Sequence, residues 1–200
     1  MNEHQYDDML QINTEREEEG HPNSLHYHRY EPTPYRALEL FFKQYEVNSS
    51  DRIVDFGCGK GRLMFYISYF HQATVLGIEM NESLYNKALW NKQNYFLKHR
   101  GEEETIQFRC CLAQKYKVHR LDNRFYFFNP FSSKVFMQVI NNILRSVEKF
   151  KREIKIVLYY PSEDYIFYLE KYTAFELVKE ISLTEVFPTN ANERFLVYRL

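Results

Sequence analysis

Three glycines at alternating positions form the most informative motif of the sequence. They lie in the segment Val54-Asp55-Phe56-Gly57-Cys58-Gly59-Lys60-Gly61-Arg62, between a short apolar run and a pattern typical of a helix. Glycine lets the backbone approach a ligand closely, and a helix N-terminus offers N–H groups that have no partner within the helix. The order of strand, glycine loop and helix therefore predicts a binding site for a nucleotide-like cofactor.

Dinucleotides are the first class of cofactor to consider for such a loop. Their fingerprint is G-x-G-x-x-G, in which the third glycine lies where the helix packs on the strand. Gly57 and Gly59 match its first two positions, but Arg62 occupies the third. The spacing therefore argues against a nicotinamide-dependent oxidoreductase.

The same segment resembles the first motif of class I methyltransferases that use S-adenosylmethionine (SAM). In that family an acidic residue ends the first strand beside the glycine loop, as Asp55 does here. SAM carries an ammonium and a sulfonium, so a carboxylate suits it and would repel a diphosphate. The resemblance implies a Rossmann-like fold, SAM as cofactor and methyl transfer as activity. It implies loop contacts to SAM from Asp55, Phe56, Gly57, Cys58, Gly59 and Gly61.

A second acidic residue supports this interpretation. Leu76-Gly77-Ile78-Glu79 ends the next predicted strand. An acid about 20 residues after such a loop can accept hydrogen bonds from both ribose hydroxyls of a nucleoside. In the resembling family the matching residue does so, and we expect Glu79, followed by Met80, to contact SAM. An acid that ends a strand is usually just solvated, but its pairing with the glycine loop favours the binding role.

The family's usual acid after the third strand is missing. Arg109-Cys110-Cys111-Leu112-Ala113-Gln114 places Leu112 where an aspartate would hold the adenine amine. We therefore expect adenine to rest on apolar and backbone contacts of Leu112 and Ala113, with Gln114 as the alternative polar contact.

The fourth predicted strand ends in Phe127-Phe128-Asn129-Pro130-Phe131, at the sheet edge where ligands bind in such folds. The segment looks like a shortened N-P-P-Y/F motif of amino-group methyltransferases. There, the asparagine side chain and a proline carbonyl accept hydrogen bonds from the target amine, and an aromatic ring stacks on it. The resemblance implies catalytic roles for Asn129, Pro130 and Phe131, with Asn129 also beside SAM. The alternative is a helix-entry turn capped by Ser132.

A closer resemblance combines three segments. Tyr30-Glu31-Pro32-Thr33-Pro34-Tyr35, the glycine loop and Phe128-Asn129-Pro130-Phe131 are similar to a group of small bacterial methyltransferases. That group is distantly related to histone-lysine methyltransferases of the telomeric-silencing-disruptor type. The resemblance implies that residues 30–35 fold over the cofactor as a lid, with Tyr30 in contact with SAM. The alternative is a loop that packs on the sheet.

General bases and metal ligands have no motif of comparable strength. Glu31, His28 and Tyr30 are the candidate bases, should the acceptor arrive protonated. His21, His26 and His28 lack a cysteine or acid at ligand spacing, so we expect no metal site.

Apolar runs typical of strands alternate with helical patterns after Asp51. The predicted strands cover residues 52–56, 74–79, 105–111, 125–128 and 154–160. The predicted helices cover residues 62–70, 81–98, 133–147 and 163–170, and the segments 175–183 and 194–198 suit an antiparallel pair at one sheet edge. The alternation predicts an α/β fold: a doubly wound, mostly parallel seven-stranded sheet with an antiparallel C-terminal edge strand and an N-terminal helical extension.

The chain divides into an extension and a core domain. Residues 1–50 are predicted to hold the extension, with an aromatic, proline-rich loop and a helix packed on the core, and residues 51–200 the SAM-binding Rossmann-like domain. The polar start of the extension predicts a short surface helix or a mobile arm. Thr33 and Pro34 suit the N-cap and first position of a helix.

Composition limits the partners. The formal net charge of −1 leans away from a protein that binds nucleic acid through phosphates. Three cysteines, no signal-peptide pattern and no apolar run of membrane-spanning length favour a cytoplasmic protein without a membrane partner. The methyl acceptor stays open among protein, nucleic acid and small molecule. The alternative function is a catalytically degenerate SAM-binding sensor or interaction module.

Overall fold

The computed structural model describes residues 1–15 and 28–200. Its strands are β1 Arg52–Phe56, β2 Thr74–Glu79, β3 Ile106–Cys110, β4 Arg124–Phe127, β5 Lys155–Tyr159, β6 Glu176–Ser182 and β7 Arg194–Arg199. Its α-helices are α1 Glu3–Leu10, α2 Tyr35–Phe42, α3 Arg62–His71, α4 Glu82–Lys98, α5 Ser133–Lys149 and α6 Glu163–Tyr172.

The strands form one sheet in the order β3-β2-β1-β4-β5-β7-β6. Strands β1 to β5 pair in parallel, and β7 runs antiparallel to both β5 and β6. The predicted mostly parallel sheet and its antiparallel C-terminal pair are confirmed, with β7 lying one position inside the edge. The order reverses between β1 and β4, so ligands are expected at the carboxyl ends of these strands.

Apolar side chains cover both faces of the sheet. One core contains residues of α1, α2 and α3, and the other contains the buried stripe of α5 with residues of α6. Strand β1 serves both, because Ile53 belongs to the first core and Val54 to the second. The predicted helix over residues 133–147 is confirmed as α5, and its apolar residues at helical spacing form a buried stripe of Val135, Phe136, Val139, Ile140, Ile143 and Val147.

The N-terminal segment packs closely on the domain. Asn2 caps α1 through a capping box, and Leu10 is fully buried. Asp7 is also buried and accepts hydrogen bonds from Thr14 and from the Tyr35 hydroxyl. The predicted short helix is present as α1, and it packs on the core through Tyr6, Asp7 and Leu10 instead of forming a mobile arm.

Helix α2 begins one residue later than predicted. Pro34 is its N-cap and Tyr35 its first residue. The Thr33 hydroxyl is buried against the Tyr126 hydroxyl at 2.8 Å, which takes it away from the helix N-terminus. Asn81, by contrast, caps α4 as predicted, since its side chain accepts from the N–H groups of Ser83 and Leu84.

None of the helices in the described part of the chain combines the length and the apolar character needed to cross a bilayer.

Candidate functional site

The glycine loop connects β1 to α3 in a conformation that only glycine adopts easily. Gly57, Gly59 and Gly61 have φ angles of 84°, 53° and 89°. The loop is tied to β2, because the Gly57 N–H donates to the Ile78 carbonyl at 2.8 Å. A Cβ at Gly57 would lie 2.6 Å from the Pro130 Cβ. The loop after β1 and the loop after β4 are therefore in direct contact.

Two buried carboxylates lie beside this loop. Glu79 Oε2 accepts from the Gly59 N–H at 2.9 Å, and its Oε1 accepts from the Asn81 N–H at 2.7 Å. Burial, reinforced by the nearby Glu79 carboxylate, raises the pKa of Asp55 to about 8. Burial also raises the pKa of Glu79, although its backbone donors oppose the rise. Burial thus disfavours the charged forms of both acids. A cationic ligand at this place would favour their ionisation, and the resulting carboxylates would attract it.

SAM fits this charge distribution. Its ammonium and sulfonium would complement the ionised form of Asp55. The two backbone bonds orient the Glu79 carboxylate and leave lone pairs that could accept from ribose hydroxyls. Phe56 and Cys58, on either side of Gly57, are buried in the protein interior.

Apolar side chains mark the place expected for adenine. Met80 and Leu112, which follow β2 and β3, are large apolar residues that remain 37% and 38% exposed. The backbone between them is fixed, since the Cys111 N–H donates to the Glu79 carbonyl at 2.9 Å. Ala113 is buried and starts a 3-10 turn that ends at Lys115. Both residues thus keep apolar surface exposed after neighbouring strands, and the contact of adenine with this surface stays a prediction.

The loop after β4 is arranged differently from the amine-methyltransferase motif at one position. Asn129 is half-buried and has a left-handed φ of 40°. Phe131, however, is buried in the core, with its ring 6.1 Å from that of Phe127 and 6.5 Å from that of Tyr165. The expectation that Phe131 stacks on an acceptor is therefore wrong, because burial of the ring in the core beside α5 and α6 decides its direction.

Residues 28–30 bridge the two loops. The His28 N–H donates to the Pro130 carbonyl at 3.0 Å, and its ring Nδ1 lies 2.6 Å from the Asn129 carbonyl oxygen. The Tyr30 ring lies on Gly59, where an added Cβ would overlap it. The Tyr30 hydroxyl donates to the Thr14 carbonyl at 2.7 Å. Tyr30 therefore lies beside the glycine loop, while Thr33 and Tyr35 of the same segment pack into the domain. The role of the segment as a lid stays a prediction.

The candidate bases differ in their surroundings. Glu31 and His28 are exposed. Burial raises the pKa of Tyr30 well above its ordinary value, so its phenol stays protonated.

Two of the three histidines considered as metal ligands, His21 and His26, lie outside the described residues. Within residues 1–15 and 28–200, no group of three or more histidine, cysteine or acidic side chains is placed to hold a metal ion.

Arg62 has a role that the sequence did not indicate. It opens α3 with its side chain 4% exposed, and it donates to the Thr14 hydroxyl at 2.7 Å and to the Glu3 carboxylate. Its guanidinium also lies 4.4 Å from the centroid of the Tyr35 ring. An arginine in place of the fingerprint glycine was the only available signal, and its partners are 29 to 59 residues away along the chain.

Part of the chain is similar to a known protein family. Residues 35–124 match a family model described as a methyltransferase domain. No curated protein sequence matches the chain significantly.

Solved structures of methyltransferases share the fold at low sequence identity. An RNA methyltransferase from Salinibacter ruber, solved with S-adenosylhomocysteine, is 19% identical with a TM-score of 0.55, over 84% of this chain and 91% of that one. A SAM-dependent methyltransferase from Aquifex aeolicus is 11% identical with a TM-score of 0.57, over 80% of this chain and 87% of that one. A geranyl diphosphate C-methyltransferase from Streptomyces coelicolor is 10% identical with a TM-score of 0.55, over 82% and 77%.

The similar structures confirm the predicted Rossmann-like fold. The family match over residues 35–124 supports the predicted methyltransferase enzyme, and the cofactors named for the similar structures agree with the prediction of SAM. The named acceptors of the similar structures, RNA and geranyl diphosphate, differ in chemistry, so the fold alone does not select an acceptor.

Proposed function

We propose that this protein transfers the methyl group of SAM to an amine nitrogen of its acceptor. The observation that carries the proposal is the contact between Pro130 and Gly57, which places Asn129 directly beside the cofactor loop. SAM, when bound, supplies an electrophilic methyl group.

Asn129 would orient the acceptor. Its side-chain oxygen can accept a hydrogen bond from an amine N–H, which leaves the nitrogen lone pair free to point along the displacement axis. Holding the two groups in line can account for much of the rate, because correct positioning replaces a bimolecular encounter. Asp55, Glu79 and the glycine loop would hold SAM, with Met80, Leu112 and Ala113 against adenine and Tyr30 over Gly59.

The first test separates binding from turnover. We expect the purified protein to bind SAM by isothermal titration and to transfer label from tritiated SAM to protein, nucleic acid or small-molecule fractions of a cell extract. Asn129→Ala should keep SAM affinity and lose at least about tenfold in turnover, since it removes an acceptor contact. Asn86→Ala, on the exposed side of α4, is the matched control and should change neither. Loss of SAM binding in Asn129→Ala together with turnover would contradict the assigned role.

A second candidate function is a SAM-binding sensor without turnover. The burial of Phe131 favours it, because the ring that an amine site would use lies in the core, and the bond from His28 to the Pro130 carbonyl occupies one of the two lone pairs of that oxygen. Labelled product that disappears in Gly57→Arg would exclude this candidate.

The relation to small bacterial methyltransferases and, more distantly, to the telomeric-silencing-disruptor type remains part of this proposal, as does a cytoplasmic location. The three sequence segments named above support the relation, and the cysteine content supports the location.

A further inference from the structure

Strands β4 and β5 end in the same local pattern. Phe127 and Leu158 form the last paired position of the two strands. Two residues further along each chain lie Asn129 and Tyr160, with φ angles of 40° and 49°. Each of them precedes a proline, and each loop then reaches a serine, Ser132 or Ser162, that is the N-cap of the next helix. Tyr160 is therefore the structural counterpart of Asn129 at the neighbouring strand.

The conformation of Tyr160 is unusual for its residue type. An aromatic residue at positive φ is an outlier, and a following proline normally pushes the preceding residue into extended conformations. The other non-glycine residues with positive φ in the described segments, apart from Asn129, are Gln11 and Gln72. Both are helix C-caps, where the left-handed conformation is ordinary. Strained residues of this kind cluster at functional sites, because the surrounding structure has to hold them in place.

The side chain of Tyr160 belongs to an aromatic group at the carboxyl edge of the sheet. Its ring centroid is 6.4 Å from that of Phe128 and 6.5 Å from that of Tyr159. Its hydroxyl oxygen accepts a hydrogen bond from the Asn190 side chain at 3.3 Å, which fixes the direction of the phenol. The residue is half-buried and packs against the first core.

The acceptor site needs a second polar group. In the resembling motif a proline carbonyl is the second hydrogen-bond acceptor for the amine, and here the Pro130 carbonyl already accepts from the His28 N–H, which leaves it one further lone pair. The ring that would stack on the amine is absent, because Phe131 is buried. Tyr160 is half-buried and offers an aromatic ring and a further polar oxygen one strand away from Asn129.

We propose that Tyr160 is an acceptor-binding residue that works together with Asn129. Its phenol oxygen accepts a hydrogen bond from the acceptor amine, and its ring packs against the carbon atoms next to the nitrogen. This role rests on the proposed amine methyl transfer.

Two substitutions separate the oxygen from the ring. Tyr160→Phe removes the hydroxyl and keeps the ring. Tyr160→Asn removes the ring and introduces a residue type that tolerates positive φ. Gln72→Asn is the matched control, since it changes a residue with a φ of 54° at the C-cap of α3, away from the carboxyl edge. The full chain is assayed with tritiated SAM and three probes: spermidine, a lysine-containing peptide and a single-stranded oligoadenylate. The first two present aliphatic amines from free and peptide sources, and the third presents an aromatic amine.

We expect wild type to methylate at least one probe. Tyr160→Phe should lower kcat/KM for that probe about tenfold, which corresponds to loss of one hydrogen bond, and Tyr160→Asn should lower it further. The Kd for SAM should stay at the wild-type value in both, and Gln72→Asn should change neither quantity. A merely structural role would instead weaken SAM binding and lower the thermal midpoint together with turnover.

Three results would overturn the inference or its premise. Wild-type kcat/KM in both Tyr160 variants would remove the role of Tyr160. A wild-type protein that binds SAM but methylates none of the probes would exclude the amine site. A wild-type protein that does not bind SAM would contradict the proposed function itself.

Discussion

Asp55 and Glu79 illustrate how single residues decide the character of the site. Each carboxyl group is buried, and each has a pKa raised mainly by that burial. The raised pKa values show that burial disfavours the charged forms of these acids and so costs stability. Titratable groups perturbed in this way cluster at functional sites.

The first prediction concerns the pH dependence caused by Asp55. Its folded-state pKa of about 8 lies above the ordinary value of 3.8, so between these values the folded protein binds more protons than the unfolded chain. The free energy of unfolding should therefore fall as pH rises through this window. Asp55→Asn, which resembles the protonated acid, should be more stable than wild type above about pH 8 and similar to it near pH 4. Thermal midpoints measured across the window check this.

SAM titrations at the same pH values provide the control. Wild-type affinity should rise as Asp55 loses its proton near pH 8, whereas Asp55→Asn should bind more weakly with a smaller pH dependence. Equal pH profiles for the two proteins would show that Asp55 is not the titrating group.

The second prediction concerns Gly57. Gly57→Ala combines a φ of 84° with a Cβ placed 2.6 Å from Pro130. We expect a loss of about 1–3 kcal/mol in the free energy of unfolding and a loss of SAM binding. Gly101→Ala is the matched control, because its nearest contact would be Phe96 at 3.4 Å, and its effect should stay within about 0.5 kcal/mol. Urea unfolding measures the stability of the two variants, and titration with SAM measures binding. Equal losses of stability in Gly57→Ala and Gly101→Ala would contradict the packing argument.

At the scale of elements, α1 is held to the start of α3 by polar groups as well as by apolar packing. Arg62 connects Glu3 of α1 with Thr14 and with the Thr33 carbonyl. The Asn91 side chain of α4 adds a pair of hydrogen bonds to the backbone of Asn13 at 2.9 and 3.1 Å. Since Tyr30 donates to Thr14, the position of α1 and its following residues also fixes the ring that covers Gly59.

The third prediction tests this connection through Arg62. Arg62→Met should lower the free energy of unfolding by about 2–4 kcal/mol, because it leaves buried acceptors without their donor. Arg36→Met is the matched control: Arg36 pairs with Glu39 on the surface of α2, with its side chain 54% exposed. It should change stability by no more than about 0.5 kcal/mol. Denaturant midpoints for the two variants make the comparison, and similar losses would show that the buried network adds nothing beyond a surface pair.

At the scale of the whole molecule, the two cores share one sheet. The strand order brings the loops after β1, β2, β3, β4 and β5 to a single edge, where the glycine loop, Glu79, Leu112, Asn129 and Tyr160 all lie. The N-terminal helix belongs to the first core, together with residues of α2 and α3. The site therefore depends on the packing of the complete domain rather than on one motif.

The fourth prediction is that the N-terminal segment and the sheet unfold together. Trp90 lies in α4, so its fluorescence reports one helix, whereas far-ultraviolet circular dichroism reports all elements. The two signals should give coincident urea transitions, as expected for a cooperative domain of this size. Removal of residues 1–15 should lower the midpoint of both. Two separated transitions in the intact chain would show that the extension is an independent unit.

Most elements could be predicted from the sequence because they depend on local periodicity. The α5 stripe and the order of strands and helices follow from the spacing of apolar residues. The glycine loop and Glu79 could be found for a similar reason, since their residue types are tied to local backbone requirements and to a fixed place at a strand end.

Other features required the tertiary structure because they depend on residues far apart in the chain. The direction of Phe131 is decided by α5 and α6, and the burial of Arg62 is decided by α1. The left-handed conformation of Tyr160 and its place beside Asn129 depend on the pairing of β5 with β4. The sequence by itself predicted the cofactor class and determined the strand-helix order. The tertiary structure decided which side chains are buried and which lie at the carboxyl edge of the sheet, because packing and not sequence spacing determines where a side chain points.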